Sequence, residues 1–170
     1  ETAQNHVKKS EGKDRIILHL QINSFWKRAA CVCGNVRRPY ASVMSDKRLL
    51  IVAHAPSPNT ARLLASVVHG ATNPDIEGVD IVAKSPFDTD ADDVMAAHGI
   101  ILGTTENLGY MSGALKDFFD RIYYPCLEAK QGMPYALYIR AGHDGTGTRR
   151  GVETIVTGLR WKAVQEPLIM

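Results

Sequence analysis

From residue 49 onward, short apolar runs alternate with stretches of helical period. Residues 49–54 form a continuous apolar run, the pattern of a strand covered on both faces. Residues 60–69 follow with Leu63, Leu64, Val67 and Val68 at helical spacing, and Pro74 and Gly78 mark the return. The pattern then predicts a strand over 79–83. A helix is expected over 88–98, with Asp88 or Thr89 as its N-cap and acidic residues in its first turn. An Ile-rich strand over 99–103 comes next. Ser112 can cap a helix to Arg121 that carries Leu115, Phe118 and Phe119 on one side. A loop with Pro125, Gly132 and Pro134 leads to a strand over 135–140. A glycine-rich loop, 141–147, opens a helix through Val152, Ile155 and Val156 to Gly158, and 161–168 reads as a fifth strand.

Strands and helices in strict alternation imply a parallel sheet with right-handed crossovers. A five-stranded doubly wound domain normally ends on a helix, whereas this chain stops at Met170. Either the C-terminus is truncated or a partner chain covers that sheet face, and truncation is the favoured expectation. Exposed apolar area weighs about 25 cal/mol per Å², so one reading of this chain is an inactive form.

The first 43 residues are different in kind. Residues 1–15 are polar and charged, which reads as disorder. The apolar residues of 15–26 follow no clean period and precede no small-residue cleavage site. Regular patterning begins after Met44, so Met44 is the expected natural start and 1–43 a non-native extension. Residues 44–170 form the domain.

Charge sharpens this division. The net charge of +2 combines about +5 on residues 1–43 with about −3 on residues 44–170. The basic balance therefore belongs to the extension, which removes the compositional case for a nucleic-acid partner. Hydrophobic residues at 45% and charged residues at 22% suit a globular domain, and no apolar run is long enough to span a bilayer. Three cysteines make no disulfide framework. Cys31 and Cys33 lack the partners of a zinc site, and Cys126 reads as a small packed side chain. A reducing cytoplasm is the expected compartment.

Three loops follow strand C-termini, the edge at which open parallel sheets bind ligands. The first, 54–60, offers Ser57, Asn59 and Thr60 beside the free N–H groups of a helix start, a set suited to phosphate or simply to a helix cap. The second, 104–111, is short and polar, with Tyr110 placed either to show an aromatic face or to pack on a neighbour. The third, 141–147, has Gly142, Gly145 and Gly147, which let backbone approach a flat ligand. Gly145, Gly147 and Gly151 imitate a dinucleotide fingerprint, with Glu166 downstream. Four residues separate the strand from Gly145, however, and no further βαβ unit follows. There is no phosphate-binding G-x-x-x-x-G-K-[ST] and no G-x-S-x-G elbow. Asp88, Asp90, Asp92 and Asp93 read as a solvated helix start rather than a metal site.

Two of these loops resemble those of the flavodoxin family. His54-Ala55-Pro56-Ser57-Pro58-Asn59-Thr60 is similar to its phosphate loop. Residues 103–113, ending Gly109-Tyr110-Met111-Ser112-Gly113, are similar to its isoalloxazine loop, which also closes on Gly-x-Met-Ser-Gly. The resemblance spans about residues 48–168 and implies a flavodoxin-like doubly wound five-stranded parallel sheet, order 2-1-3-4-5, lacking the last helix. It also implies FMN. Ala55, Ser57, Pro58, Asn59 and Thr60 would surround the phosphate. Thr104, Thr105, Glu106, Asn107, Leu108, Gly109, Tyr110 and Met111 would line the ring. Ala141, Gly142, His143, Gly145 and Gly147 would cover its other side. Ala55 stands where the family has a hydroxyl, Pro58 replaces a glycine and removes an N–H donor, and Leu108 replaces an aromatic. These departures imply a weaker hold on FMN.

The function so implied is an NAD(P)H-dependent FMN oxidoreductase acting on a small acceptor such as a quinone. The flavin carries the chemistry and no side chain need be catalytic. His143 is a proton-donor candidate or a surface residue without a role. The alternative is a flavodoxin-type electron carrier, which the weak negative charge of 44–170 and the nearby Arg140, Arg149 and Arg150 disfavour. The resemblance further implies a homo-oligomer, with Tyr123, Tyr124 and Pro125 as either interface or core residues.

Overall fold

β1 (Lys47–Ala53) is the sheet's central organiser, because its residues from Leu49 to Val52 are wholly buried. A computed structural model describes residues 47–170, so the expectations for residues 1–43 and for Met44 lie outside the described residues. β1 pairs in parallel with β2 (Val79–Lys84) on one side and β3 (Gly99–Asn107) on the other. β3 pairs in parallel with β5 (Pro134–Arg140). With Lys162–Ala163 as β6, the path β2-β1-β3-β5-β6 is the expected 2-1-3-4-5 order of parallel strands.

Alternate residues of the strands face opposite layers. Leu50, Val52, Ile100, Leu102, Leu137 and Ile139 point to a core shared with three helices, α2 (Ala91–Ala96), α3 (Gly113–Cys126) and α4 (Thr146–Gly158). Leu49, Ile51, Ile101, Ala136 and Tyr138 point the other way, where α1 (Pro58–Ala71) supplies Val67 and Ala71. Two-sided burial explains why β1 and β3 read as unbroken apolar runs instead of alternating ones. None of the described helices is long and apolar enough to cross a membrane.

Several boundaries differ from the sequence pattern for identifiable reasons. α1 begins at Pro58, because Ser57 caps it in a capping box with Thr60 and proline suits the first helical position. The helix expected over 88–98 is divided. Pro86–Asp88 forms a single 3₁₀ turn, and α2 starts only at Ala91, capped by Asp90 rather than by Asp88 or Thr89. Arg121 on α3 donates to the carbonyls of Pro86 and Thr89, both at 2.6 Å, and holds the intervening backbone out of the helix. α3 itself continues past Arg121 to Cys126, with Pro125 tolerated in its last turn.

The largest difference lies in the fifth strand. Instead of one element over 161–168, there are two short bridges, β6 (Lys162–Ala163) and β7 (Leu168–Ile169), both parallel to β5. Ala163 pairs with Tyr135 and Leu168 with Tyr138, so five steps along this segment match only three along β5. Pro167, which has no N–H to donate, lies within the bulged part.

A hairpin and two loops at one sheet edge

The parallel strands deliver their C-terminal ends to one edge. There β1 turns to α1 on one face while β3 leads to α3 on the other, so the chain diverges between neighbouring strands. That divergence opens the crevice in which doubly wound sheets seat ligands. The backbone N–H of His54 donates to the Gly103 carbonyl at 3.0 Å, which carries the β1–β3 ladder to the start of the first loop, beside the strand that leads into the second.

The first loop is organised as a cap. Ser57 Oγ accepts from the Thr60 N–H at 3.3 Å, the Ser57 N–H donates to Thr60 Oγ1 at 2.9 Å, and the two hydroxyls stand 3.0 Å apart. Asn59 Oδ1 accepts from Arg62 at 2.8 Å. Pro58 offers no N–H and the Thr60 N–H is taken, so the Asn59 N–H is the first-turn donor outside the cap. Ser57, Pro58 and Asn59 are exposed, Ala55 is half-buried and Thr60 is buried. A phosphate at this helix start would meet the positive end of α1, one free N–H, the Ser57 hydroxyl and the Arg62 guanidinium nearby.

The second segment is a hairpin, where the sequence predicts a strand ending at 103 and then a loop. β3 runs on through Thr104, Thr105, Glu106 and Asn107, reverses at Leu108-Gly109, and returns as β4 (Tyr110–Met111). Both turn residues have positive φ, 54° at Leu108 and 74° at Gly109, the signature of a two-residue type I′ turn. Extended pairing wins here because Glu106 and Asn107 find antiparallel partners in Met111 and Tyr110. The Leu108 side chain is wholly exposed at the tip.

This hairpin divides the expected ring residues into two groups. Thr104 and Met111 turn inward: Thr104 Oγ1 accepts from the Ser112 N–H at 3.1 Å, and Met111 belongs to the core. Tyr110 packs over α4, where a β-carbon on Gly151 would lie 2.5 Å from its ring. Asn107, Leu108 and Gly109 stay exposed.

The third loop presses on the hairpin. The Gly142 and His143 N–H groups both donate to Glu106 Oε2, at 2.9 and 2.6 Å. A β-carbon on Gly147 would stand 2.0 Å from the Gly109 carbonyl oxygen, so only glycine permits this approach. Gly145 caps α4 in the left-handed region with φ 71°. Ala141 is buried and donates its N–H to the Met170 carbonyl at 2.7 Å. The His143 ring is exposed beside Asp144, with Nδ1 and Oδ1 3.7 Å apart. The hydrogen bonds that the Thr146 backbone and hydroxyl give Asp144 hold its carboxyl below the usual range.

One residue at this edge has no role in the sequence pattern. His54 directly follows β1, with its ring 6.4 Å from that of Phe87 in an edge-on contact. Its Nδ1 is buried and has no hydrogen-bond partner among the described residues, and burial pushes its pKa down. The Thr105 hydroxyl is orphaned in the same way. Both groups lie at the C-terminal edge of the strands, and each has the capacity for one more hydrogen bond. The signal for His54 was its place, a titratable ring directly after an apolar strand.

Comparison with known proteins agrees with this architecture. Superposed on a flavodoxin from the domain Archaea, the chain gives a TM-score of 0.60 at 17% identity, covering 72% of this chain and 83% of that one. The fold is flavodoxin-like. An NADH:FMN oxidoreductase in its apo form shares this flavodoxin-like fold, with a TM-score of 0.56, 17% identity, and coverage of 73% and 75%. In sequence, a flavodoxin of Aquifex aeolicus (strain VF5) is 25% identical over 112 residues, 66% of this chain. The match spans 60% of that flavodoxin's length, which is less than two thirds of it. No family model matches the chain.

Proposed function

We propose that this flavodoxin-like domain binds FMN across the α1 start and the 107–110 hairpin. In this reading it passes electrons from NAD(P)H through the flavin to a small acceptor such as a quinone. The observation that carries the proposal is the β1–β3 ladder, which runs to the His54–Gly103 hydrogen bond and so sets the phosphate-loop candidate beside the strand leading to the ring-loop candidate at the switch point. The donor set fits the cofactor. Ser57 and the Asn59 N–H would hold the phosphate, with Arg62 beside them, and the exposed backbone of Asn107 to Gly109 would lie along the ring. His54 Nδ1 and Thr105 Oγ1 are two further groups that a polar ligand would satisfy.

When bound, the flavin supplies the hydride and electron chemistry, and the protein supplies position and electrostatics. The NAD(P)H-dependent reading is favoured by the NADH:FMN oxidoreductase among the structural neighbours. The electron-carrier reading is favoured by the flavodoxins among them. Self-association is part of the proposal, with Tyr124, 82% exposed, as the aromatic open to a second copy.

The test is an absorption spectrum taken after FMN addition and desalting, followed by steady-state NADH and NADPH oxidation with a quinone. Retained flavin bands and nicotinamide consumption are expected. Retained bands without any nicotinamide consumption would favour the carrier. Loss of all flavin on desalting, together with no binding by titration, would overturn the proposal.

A further inference from the structure

Glu106 reaches from the end of β3 to a loop 36 residues further along the chain, and one of its oxygens accepts from two consecutive backbone N–H groups. Consecutive N–H groups converging on one point form a small anion cradle. In this protein the cradle of Gly142 and His143 faces Glu106 near the end of β3, the strand that leads into the hairpin along which the proposed ring would lie. Among the described residues no basic side chain pairs with Glu106. The contact is exposed to solvent, so water can take over the carboxylate if it swings away. A ring carbonyl arriving at the same N–H pair would instead face the lone pairs of a carboxylate. Acceptor and acceptor cannot share the cradle.

We propose that Glu106 is the residue that sets flavin affinity in this protein, because its carboxylate fills the Gly142–His143 cradle and FMN enters by displacing it onto water. Glu106 is thus a positioning residue that acts through the 141–147 loop, and its role rests on the FMN reading above. A neutral amide at 106 would compete less well for the cradle, since hydrogen bonds to a charged acceptor are the stronger ones. A methyl group would not compete at all.

The experiment titrates FMN into the wild-type chain, Glu106→Gln and Glu106→Ala, while following the Gly142 and His143 amide resonances and their hydrogen exchange. Expected are an affinity about tenfold tighter for Glu106→Ala, an intermediate value for Glu106→Gln, and FMN-induced shifts of both amides in all three proteins. Faster exchange of the two amides in flavin-free Glu106→Ala would report the loss of the latch without reference to any activity. Equal or weaker FMN binding by a folded Glu106→Ala, with wild type binding normally, would overturn the latch and leave the FMN reading standing. Failure of all three proteins to bind FMN would overturn the FMN reading and the latch with it.

Discussion

The phenol ring of Tyr138 lies directly against the α-carbon of Gly103, its register partner on the neighbouring strand. A β-carbon on Gly103 would stand 2.2 Å from Cζ and 2.3 Å from the hydroxyl oxygen. Tyr138 is 6% exposed, so its ring has little room to withdraw, and burial pushes its phenol pKa up. Gly103→Ala is therefore expected to destabilise the domain by about 1–3 kcal/mol through overpacking. In a Tyr138→Val background the same substitution should cost much less. A double-mutant cycle by denaturant unfolding measures the coupling, and additive effects would show that the ring is not what excludes the methyl.

Thr104→Val is expected to strand the Ser112 N–H, which donates to Thr104 Oγ1 at 3.1 Å in a region where both residues are buried. An unsatisfied buried donor costs about 1–3 kcal/mol. Thr104→Ser keeps the acceptor and should recover most of that loss. Thermal melts of the two variants give the comparison.

Leu108→Asn is expected to stabilise the fold. Leucine at φ 54° is strained, whereas Asn-Gly is the favoured pair of a type I′ turn. A gain of about 1 kcal/mol is expected by urea unfolding, and because the side chain is wholly exposed no packing is lost in exchange. A destabilised variant would show that positive-φ strain at Leu108 is not what limits this turn.

Asp93 gives the domain a specific acid sensitivity. Partial burial pushes its carboxyl up. The hydrogen bond from Lys84, the Asp90 N–H and the Lys84 charge outweigh this and hold it below the ordinary value of 3.8. A depressed native pKa contributes stability that is fully present above the unfolded value and is lost as pH falls through the native one. Asp93→Asn should be less stable than wild type at neutral pH, by about 1 kcal/mol. The gap should narrow as pH drops below 3.8, and paired unfolding curves from pH 7 to pH 2 would reveal a parallel offset if Asp93 carried no such linkage.

Much of the sheet was legible in the chain because two-sided burial writes itself as apolar runs at residues 49–54, 99–103 and 135–140. Helix α1 was legible through Leu63, Leu64, Val67 and Val68, and its cap through Ser57 and Thr60. The hairpin was not. Nothing local to Asn107-Leu108-Gly109-Tyr110 demands a turn with leucine at positive φ, and its strands form because Met111 is pulled into the core while Tyr110 packs over Gly151. The divided second helix depends on Arg121, which lies more than thirty residues from the carbonyls it holds. The bulge between β6 and β7 depends on register against β5.

By itself the sequence determined the order of strands and helices, the burial of the central strands, and which loops follow the C-terminal ends of the strands, because periodicity and capping are properties of neighbouring residues. Only the tertiary structure decided that Glu106 fills the N–H pair of Gly142 and His143, that Gly147 abuts Gly109, and that His54 Nδ1 is left without a partner among the described residues. Those relationships join segments that are distant along the chain. Their energies arise only once packing has brought the strand ends together, so no local pattern of residues can encode them.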